Sequence, residues 1–250
     1  QNGQTEFRNG ESLALVEALI NEYKLDVDSD LPEFQGGAVG FISYDYARKI
    51  ERLPERAEDT LQVPDLYFYL FNAWAVHNVK TEEVTLMKLQ QSEIDLEEWA
   101  NEWKAAATNG KKSRLFHAGK AVDVVNDENE LKISFSNEQF QQAVRRIQEY
   151  ISAGDVFQVN LSVQQAKKLN ASPIAVYEAV RSFNPSPYMS YIGSDVFTVV
   201  SGSPELLIKR DGINLSTRPI AGTRPRGRDE AEDIALASEL IDNVKERAEH

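Results

Sequence analysis

The chain has 250 residues, enough for one large or two small domains, and its 42% hydrophobic content suffices for a sizeable core. A formal net charge of −13 and a pI near 4.8 argue against nucleic acid or anionic membrane as the main partner, because both would repel it. The absence of cysteine excludes disulfides, thiolate catalysis and Cys-based zinc sites, and three histidines (His77, His117, His250) are too few for a His-rich metal site. No signal-peptide pattern opens the chain and no apolar run approaches the roughly 18 residues of a membrane span, so a soluble, cytoplasmic protein is expected. The start lacks an initiator Met and the end lies inside a helical pattern without a C-cap, so the chain is expected to be an internal piece of a longer polypeptide.

Glu11 to Lys24 places Leu13, Val16, Leu19, Ile20 and Tyr23 on one face and predicts a short amphipathic helix. An acidic loop follows, then Gly36-Gly37, whose freedom at positive φ marks a turn into a buried strand over Ala38 to Tyr44. Tyr46 to Leu53 reads as a helix stopped by Pro54. Gly-Gly here is a structural turn and not a phosphate loop, because no helix N-terminus and no Gly-Lys-Ser/Thr follow it. Leu66 to Val79 and Val84 to Leu89, rich in aromatic and β-branched residues, predict an antiparallel hairpin turning near Asn78 to Glu83. His77 has no partner at ligand spacing and is read as structural. Ile94 to Ala107 predicts a helix with Trp99 and Trp103 at i,i+4 as a packing stripe.

Thr108 to Glu130 is polar and weakly periodic, the best linker in the chain, with His117 expected at the surface. The expected division is 1–107, a linker at 108–135, and a second domain from 136 to 250. Ser136 and Gln139 have capping-box spacing before a helix that buries Phe140, Val144, Ile147 and Ile151 and ends at Gly154. Asp155 to Gln165 alternates, which predicts a strand with Val156, Gln158, Asn160 and Ser162 on one face. That polar row is either half exposed or lines a cavity. Ser172-Pro173 opens a helix to Phe183, Asn184 to Pro187 is a rigid turn, and strands are predicted at Tyr188 to Ile192, Phe197 to Ser201 and Glu205 to Arg210.

Glu205, just after a Gly-Ser-Pro turn, is either an ordinary surface acid or a cleft residue. Pro219 to Thr223 forms a compact turn among Arg218, Arg224, Arg226 and Arg228, which pair with the following acidic helix or attract an anion. In the last helical turn Glu246 and Glu249 stand at i,i+3 on one face. Two such carboxylates favour a hard divalent cation, Mg²⁺ being the commonest; alone, the pattern is more often a solvated acidic face. Hairpin-like neighbours interleaved with helices predict an α+β fold with largely antiparallel sheets.

In chain order, FQGGAVGFISYDYAR, GDVFQVNLS, NPSPYMSY, GSPELL, RPIAGTRPRG and KERAEH resemble the chorismate-utilising enzymes. These are the large components of anthranilate synthase and 4-amino-4-deoxychorismate synthase, with isochorismate and salicylate synthases as relatives. The resemblance runs from about Leu31 to His250. It implies a large antiparallel β-sandwich flanked by helices, present here as a fragment whose catalytic domain begins at 136 and continues beyond the chain.

It further implies chorismate as substrate and Mg²⁺ as the bridge between enzyme and substrate carboxylates. Glu246 and Glu249 then match the metal-side pair, with Glu246 counted among the catalytic groups, and Glu205 matches the acid that protonates the departing 4-hydroxyl. Ala221, Gly222 and Thr223 match the turn that holds substrate. Gln158 stands where isochorismate and salicylate synthases have the Lys that activates water. A Gln cannot be that base, so the resemblance implies ammonia as nucleophile, delivered by a glutamine amidotransferase subunit. Pro187 and Met189 match residues bordering a regulatory tryptophan pocket. Some aminodeoxychorismate synthases carry a nucleophilic Lys at the position of Ala221, but a bacterial subgroup reads PIAGT as this chain does, and FQGGAVGFISYDYAR and SGSPELL resemble that subgroup. The expected product is therefore 4-amino-4-deoxychorismate, on the way to 4-aminobenzoate and folate. Anthranilate, for tryptophan synthesis, is the near alternative, and a non-catalytic acidic interaction domain the remote one.

Overall fold

The computed structural model describes residues 5–23, 27–108 and 131–249. Residues 109–130 of the expected linker, with His117, and the terminal His250 fall outside these residues; the described end of that linker holds a short strand, Lys132–Ile133. Two compact units are present, one within Gln1–Arg114 and Ile192–Phe197, the other within Leu115–Tyr191 and Thr198–His250.

In the first unit, α1 (Ser12–Glu22) starts where the Glu11 carboxylate accepts the N–H groups of Leu13 and Ala14 at 3.1 and 2.8 Å, a side-chain N-cap. The same carboxylate accepts the Tyr46 hydroxyl. That bond holds Glu11 below the usual carboxylate range and pushes the Tyr46 phenol up. Gly36 and Gly37, at φ +127° and +107°, make the expected turn. β1 (Ala38–Ile42) pairs antiparallel with β2 (Leu66–Leu70), Gly40 facing Phe68. A Cβ at position 40 would lie 1.8 Å from the Tyr67 carbonyl oxygen, so the close approach of the two strands requires glycine.

Between these strands the expected helix to Leu53 is only a 3₁₀ turn, Tyr44–Tyr46, and one α turn, α2 (Ala47–Ile50). The chain is already extended at Glu51, ahead of Pro54, before which helical geometry is disfavoured. β3 (Ala73–Asn78) and β4 (Glu83–Lys88) form the expected hairpin, with His77 opposite Val84 and exposed, but the single strand expected over Leu66 to Val79 is two, because β2 ends at Leu70 and pairs with β1 instead. In α3 (Leu96–Thr108) Trp99 and Trp103 meet edge to face at 6.2 Å, a geometry that adds about 1 kcal/mol to their burial. Phe41, Tyr67 and Phe197 form an aromatic cluster with centroids 5.1–6.1 Å apart, and the Tyr69 hydroxyl donates to the Gly193 carbonyl. The buried hydrophobic residues among those described, Tyr46, Met87, Leu89 and Ile192, all belong to this unit.

In the second unit, β5 (Lys132–Ile133) precedes α4 (Asn137–Ala153), which opens with the full capping box. Gln139 N–H donates to the Ser136 hydroxyl at 3.2 Å, and Ser136 N–H to the Gln139 side chain at 2.9 Å. Gly154, left-handed at φ +81°, closes the helix. The predicted strand over Asp155 to Gln165 is not formed. Only β6 (Gln165–Ala166) pairs as a strand, with β5, extended by one bond from the Ser134 N–H to the Gln164 carbonyl at 2.9 Å; Asp155 to Asn160, Gln158 included, is exposed and in no strand. Alternation states which faces a strand would have but supplies no neighbour, and a strand without one leaves its backbone groups to water.

α5 (Pro173–Phe183) has Ser172 as N-cap and Pro173 at its first position and packs on β8 (Thr198–Ser203), the partner of β7 (Tyr188–Gly193). β9 (Leu206–Asp211) and β10 (Asn214–Arg218) make an antiparallel hairpin; β10 was not anticipated. The single helical pattern predicted at the C-terminal end is two helices, α6 (Glu230–Asp242) and α7 (Val244–Glu249), broken at Asn243, which is extended at φ −66°, ψ +120°. Elements of both kinds with antiparallel pairing bear out the α+β class. Among the described residues the strands pair two by two, and no helix is long and apolar enough to cross a membrane.

Candidate active site

The turn Pro219–Thr223 joins β10 to the basic run before α6, and carboxylates approach it from two directions. From the start of β9, Glu205 Oε1 accepts the Ile220 N–H at 3.3 Å. The Glu205 backbone is fixed by the preceding turn, its N–H donating to the Ser203 hydroxyl at 3.3 Å. From α7, Glu246 lies against Gly222. An added Cβ on Gly222 would stand 2.3 Å from Glu246 Oε2 and 2.9 Å from the Leu240 side chain. Gly222 is also left-handed, at φ +72°, so this position needs glycine for its conformation and for its neighbour.

Asn243 is what directs Glu246 to the turn. Its side-chain oxygen accepts the N–H groups of Lys245 and Glu246 at 3.1 and 3.2 Å and so caps a new helix after the break. A cap signal, Asn followed by a helical stretch, was present in the sequence but submerged in the longer helical pattern.

Three of the four arginines near the turn pair with the acidic helix, which resolves that alternative. Arg226 meets Asp233 at 2.7 Å and Arg228 meets Glu232 at 2.9 Å, with arginine side chains 91% and 90% exposed, so both pairs are strongly screened. Asp233 is held below its usual range first by the Gly227 N–H and then by Arg226, and Glu232 by Arg228. With Glu230 these acids make up the first turn of α6, where negative charge complements the helix dipole. Arg224 differs. Its side chain is 22% exposed, and it contacts Glu239 of α6 and Glu246 of α7, the latter 15% exposed. Its hydrogen bonds hold Glu239 below the usual carboxylate range and push the guanidinium further up.

The structure thus brings Glu205, Glu246 and the Ala221-Gly222-Thr223 turn together. Gln158 stands exposed, outside any strand. Pro187 is exposed and Met189 half-buried at the start of β7. Glu249 lies in α7. A shallow surface depression at the start of α6 is lined by Arg226, Gly227, Asp229, Glu230, Asp233 and Ile234 rather than by the candidate residues.

Among the described residues no three His, Asp or Glu side chains gather as a metal cage. What is present is one mostly buried carboxylate seated in the space a Cβ at Gly222 would fill. That suits Mg²⁺, which keeps several waters and takes only one or two carboxylates from protein, with substrate oxygens completing its shell.

The model of the chorismate binding enzyme family matches residues 2–250. Aminodeoxychorismate synthase component 1 of Bacillus subtilis is 39% identical over 252 residues, covering 98% of this chain and 52% of that protein. Anthranilate synthase component 1 of Thermus thermophilus is 39% identical over 256 residues, covering 97% of this chain and 52% of the other. The crystal structure of anthranilate synthase component I from Streptococcus pneumoniae superposes with a TM-score of 0.75 at 28% identity, over 100% of this chain and 54% of that one. The chain therefore spans about half the length of the relatives it matches. On the motifs, the fold and a family match over nearly every residue, this chain belongs to the chorismate binding enzyme family.

Proposed function

We propose that the protein is a Mg²⁺-dependent chorismate-aminating synthase component, cytoplasmic, that uses ammonia from a glutamine amidotransferase subunit and yields 4-amino-4-deoxychorismate. One observation supports this reading above the others: a single turn, Pro219–Thr223, is met by Glu205 through the Ile220 N–H and by Glu246 at Gly222. Family membership supplies the substrate class.

In this reading the turn receives chorismate, with Ala221, Gly222 and Thr223 against the substrate and backbone N–H groups as uncharged donors to its carboxylate. Glu246 and Glu249 hold Mg²⁺, which when bound offsets the repulsion between enzyme and substrate carboxylates. Glu205 gives a proton to the 4-hydroxyl, so that the C–O bond breaks with water as leaving group, hydroxide being a poor one. Ammonia forms the new C–N bond and releases a proton, and atoms and charge balance. Gln158 has no basic nitrogen with which to activate water, which supports ammonia as the nucleophile. Ala221 cannot form a covalent bond to substrate. Pro187 and Met189 are proposed to border a regulatory tryptophan pocket.

A second reading, anthranilate formation by amination at C2 and loss of pyruvate, is favoured by the Thermus relative and the Streptococcus structure. Full-length protein given chorismate, Mg²⁺ and ammonium, with products separated by chromatography under fluorescence detection, decides between them. Aminodeoxychorismate is the expected product, anthranilate would establish the second reading, and neither would overturn both.

A further inference from the structure

Arg224 divides one guanidinium unevenly. Its Nε and Nη2 donate to the two oxygens of Glu239, the latter at 2.9 Å. Its Nη1 donates to the Thr223 carbonyl at 2.8 Å and reaches Glu246 Oε1 only at 3.5 Å. The bidentate pair uses two of the five guanidinium N–H groups and fixes the plane and position of the rest, so Nη1 is held at the long end of hydrogen-bond reach from Glu246. Glu246, the less exposed of the two acids at 15% against 51%, would otherwise be the better partner, since screening is weaker there. Its other oxygen lies over Gly222.

We propose that Glu239 is a positioning residue that holds Arg224 back from Glu246, leaving the Glu246 carboxylate aimed at the turn and open to a divalent cation. This rests on the assignment of Glu246 to the metal side made above. Without Glu239 the guanidinium is free to close on Glu246 and compete with a cation for it. Glu239 also accepts the Asn243 side-chain amide at 3.5 Å, a contact that Gln keeps through its carbonyl oxygen, so Glu239→Gln acts through Arg224 and matters only while Arg224 is present.

The test is calorimetric titration of Mg²⁺ alone into full-length protein carrying E239Q, R224M or both, each variant first shown by thermal melting to be folded, with R224Q replacing R224M if the latter is not. E239Q is expected to weaken Mg²⁺ binding about 3-fold or more when Arg224 is present, and to have no effect when Arg224 is absent, a coupling that a double-mutant cycle reads directly. An equal weakening in both backgrounds means only a change of net charge near the site and overturns the proposal. So does E239Q binding Mg²⁺ as wild type does, whatever its melting temperature, since the ion pair would then be purely structural. A wild-type protein that takes up no Mg²⁺ fails at the earlier step and removes the metal assignment itself.

Discussion

Replacing Gly222 by Ala perturbs the candidate site at its narrowest point. The new Cβ would stand 2.3 Å from Glu246 Oε2, 2.6 Å from Glu246 Cδ and 2.9 Å from Leu240 Cδ1, so the carboxylate must retreat by about 1 Å to reach ordinary contact. The left-handed backbone adds roughly 1–2 kcal/mol of strain for a residue with a Cβ. A displacement of about 1 Å in a reacting group costs on the order of 100-fold in rate, or about 2.7 kcal/mol in the barrier. The expected result is therefore a loss of about 100-fold in kcat/KM for ammonia-dependent chorismate consumption by the full-length enzyme. Gly212 is the control. It is also left-handed, at φ +59°, but nothing lies within 4 Å of its virtual Cβ. Gly212→Ala should lower the melting temperature through backbone strain and leave kcat/KM near wild type. If Gly222→Ala keeps wild-type kcat/KM, Glu246 is not used from the position it occupies against the turn, and the construction of the site is wrong.

Glu205→Gln keeps the shape of the side chain but has no proton to give, so turnover should fall about 100-fold or more; an undiminished rate removes Glu205 as the acid. Arg224 holds Glu239 below its ordinary range in the folded protein. A depressed carboxyl stabilises the fold above its unfolded value and loses that contribution as pH falls through its folded value. The melting temperature of wild type should therefore exceed that of Glu239→Gln at pH 7, and the gap should close below about pH 4; a gap that persists in strong acid would mean the charge on Glu239 is not its source. Hydrogen exchange on the 250-residue chain should protect β1 to β4 more than α4 to α7, because the buried hydrophobic residues described all belong to the first unit. Equal protection in both would show that the second unit has a core of its own.

What proved legible in the sequence was whatever a few neighbouring residues decide. Ser136 with Gln139, Ser172 with Pro173, and Gly36 with Gly37 each satisfy or free particular backbone groups within one turn of chain, so their consequences could be read from spacing. β10 was missed although its signal was equally local: Asp211-Gly212 turns the chain, with Gly212 at φ +59°, and Leu215 and Thr217 alternate with polar neighbours. The failures of a different kind depend on distant chain. Asp155 to Gln165 has the alternation of a strand but meets a second strand only at its end, where Gln165 pairs with Ile133, and Arg224 had carboxylates available on two helices, between which only geometry chooses.

The same distinction explains why the candidate site was recognisable before its geometry was. Glu205, the Ala221-Gly222-Thr223 turn and Glu246 could each be noted as residues of the right chemistry, yet none specifies where the others lie. Two features without any reactive role join them. The Ile220 N–H brings Glu205 to the turn, and the break at Asn243 starts a second helix whose first turn carries Glu246 to Gly222. Had the helix run on unbroken from Glu230, the direction of Glu246 would be set by α6 alone, and the cap that orients α7 would have no function. Residue chemistry thus defines what the site is able to do, while a backbone hydrogen bond and a helix break decide whether those groups meet.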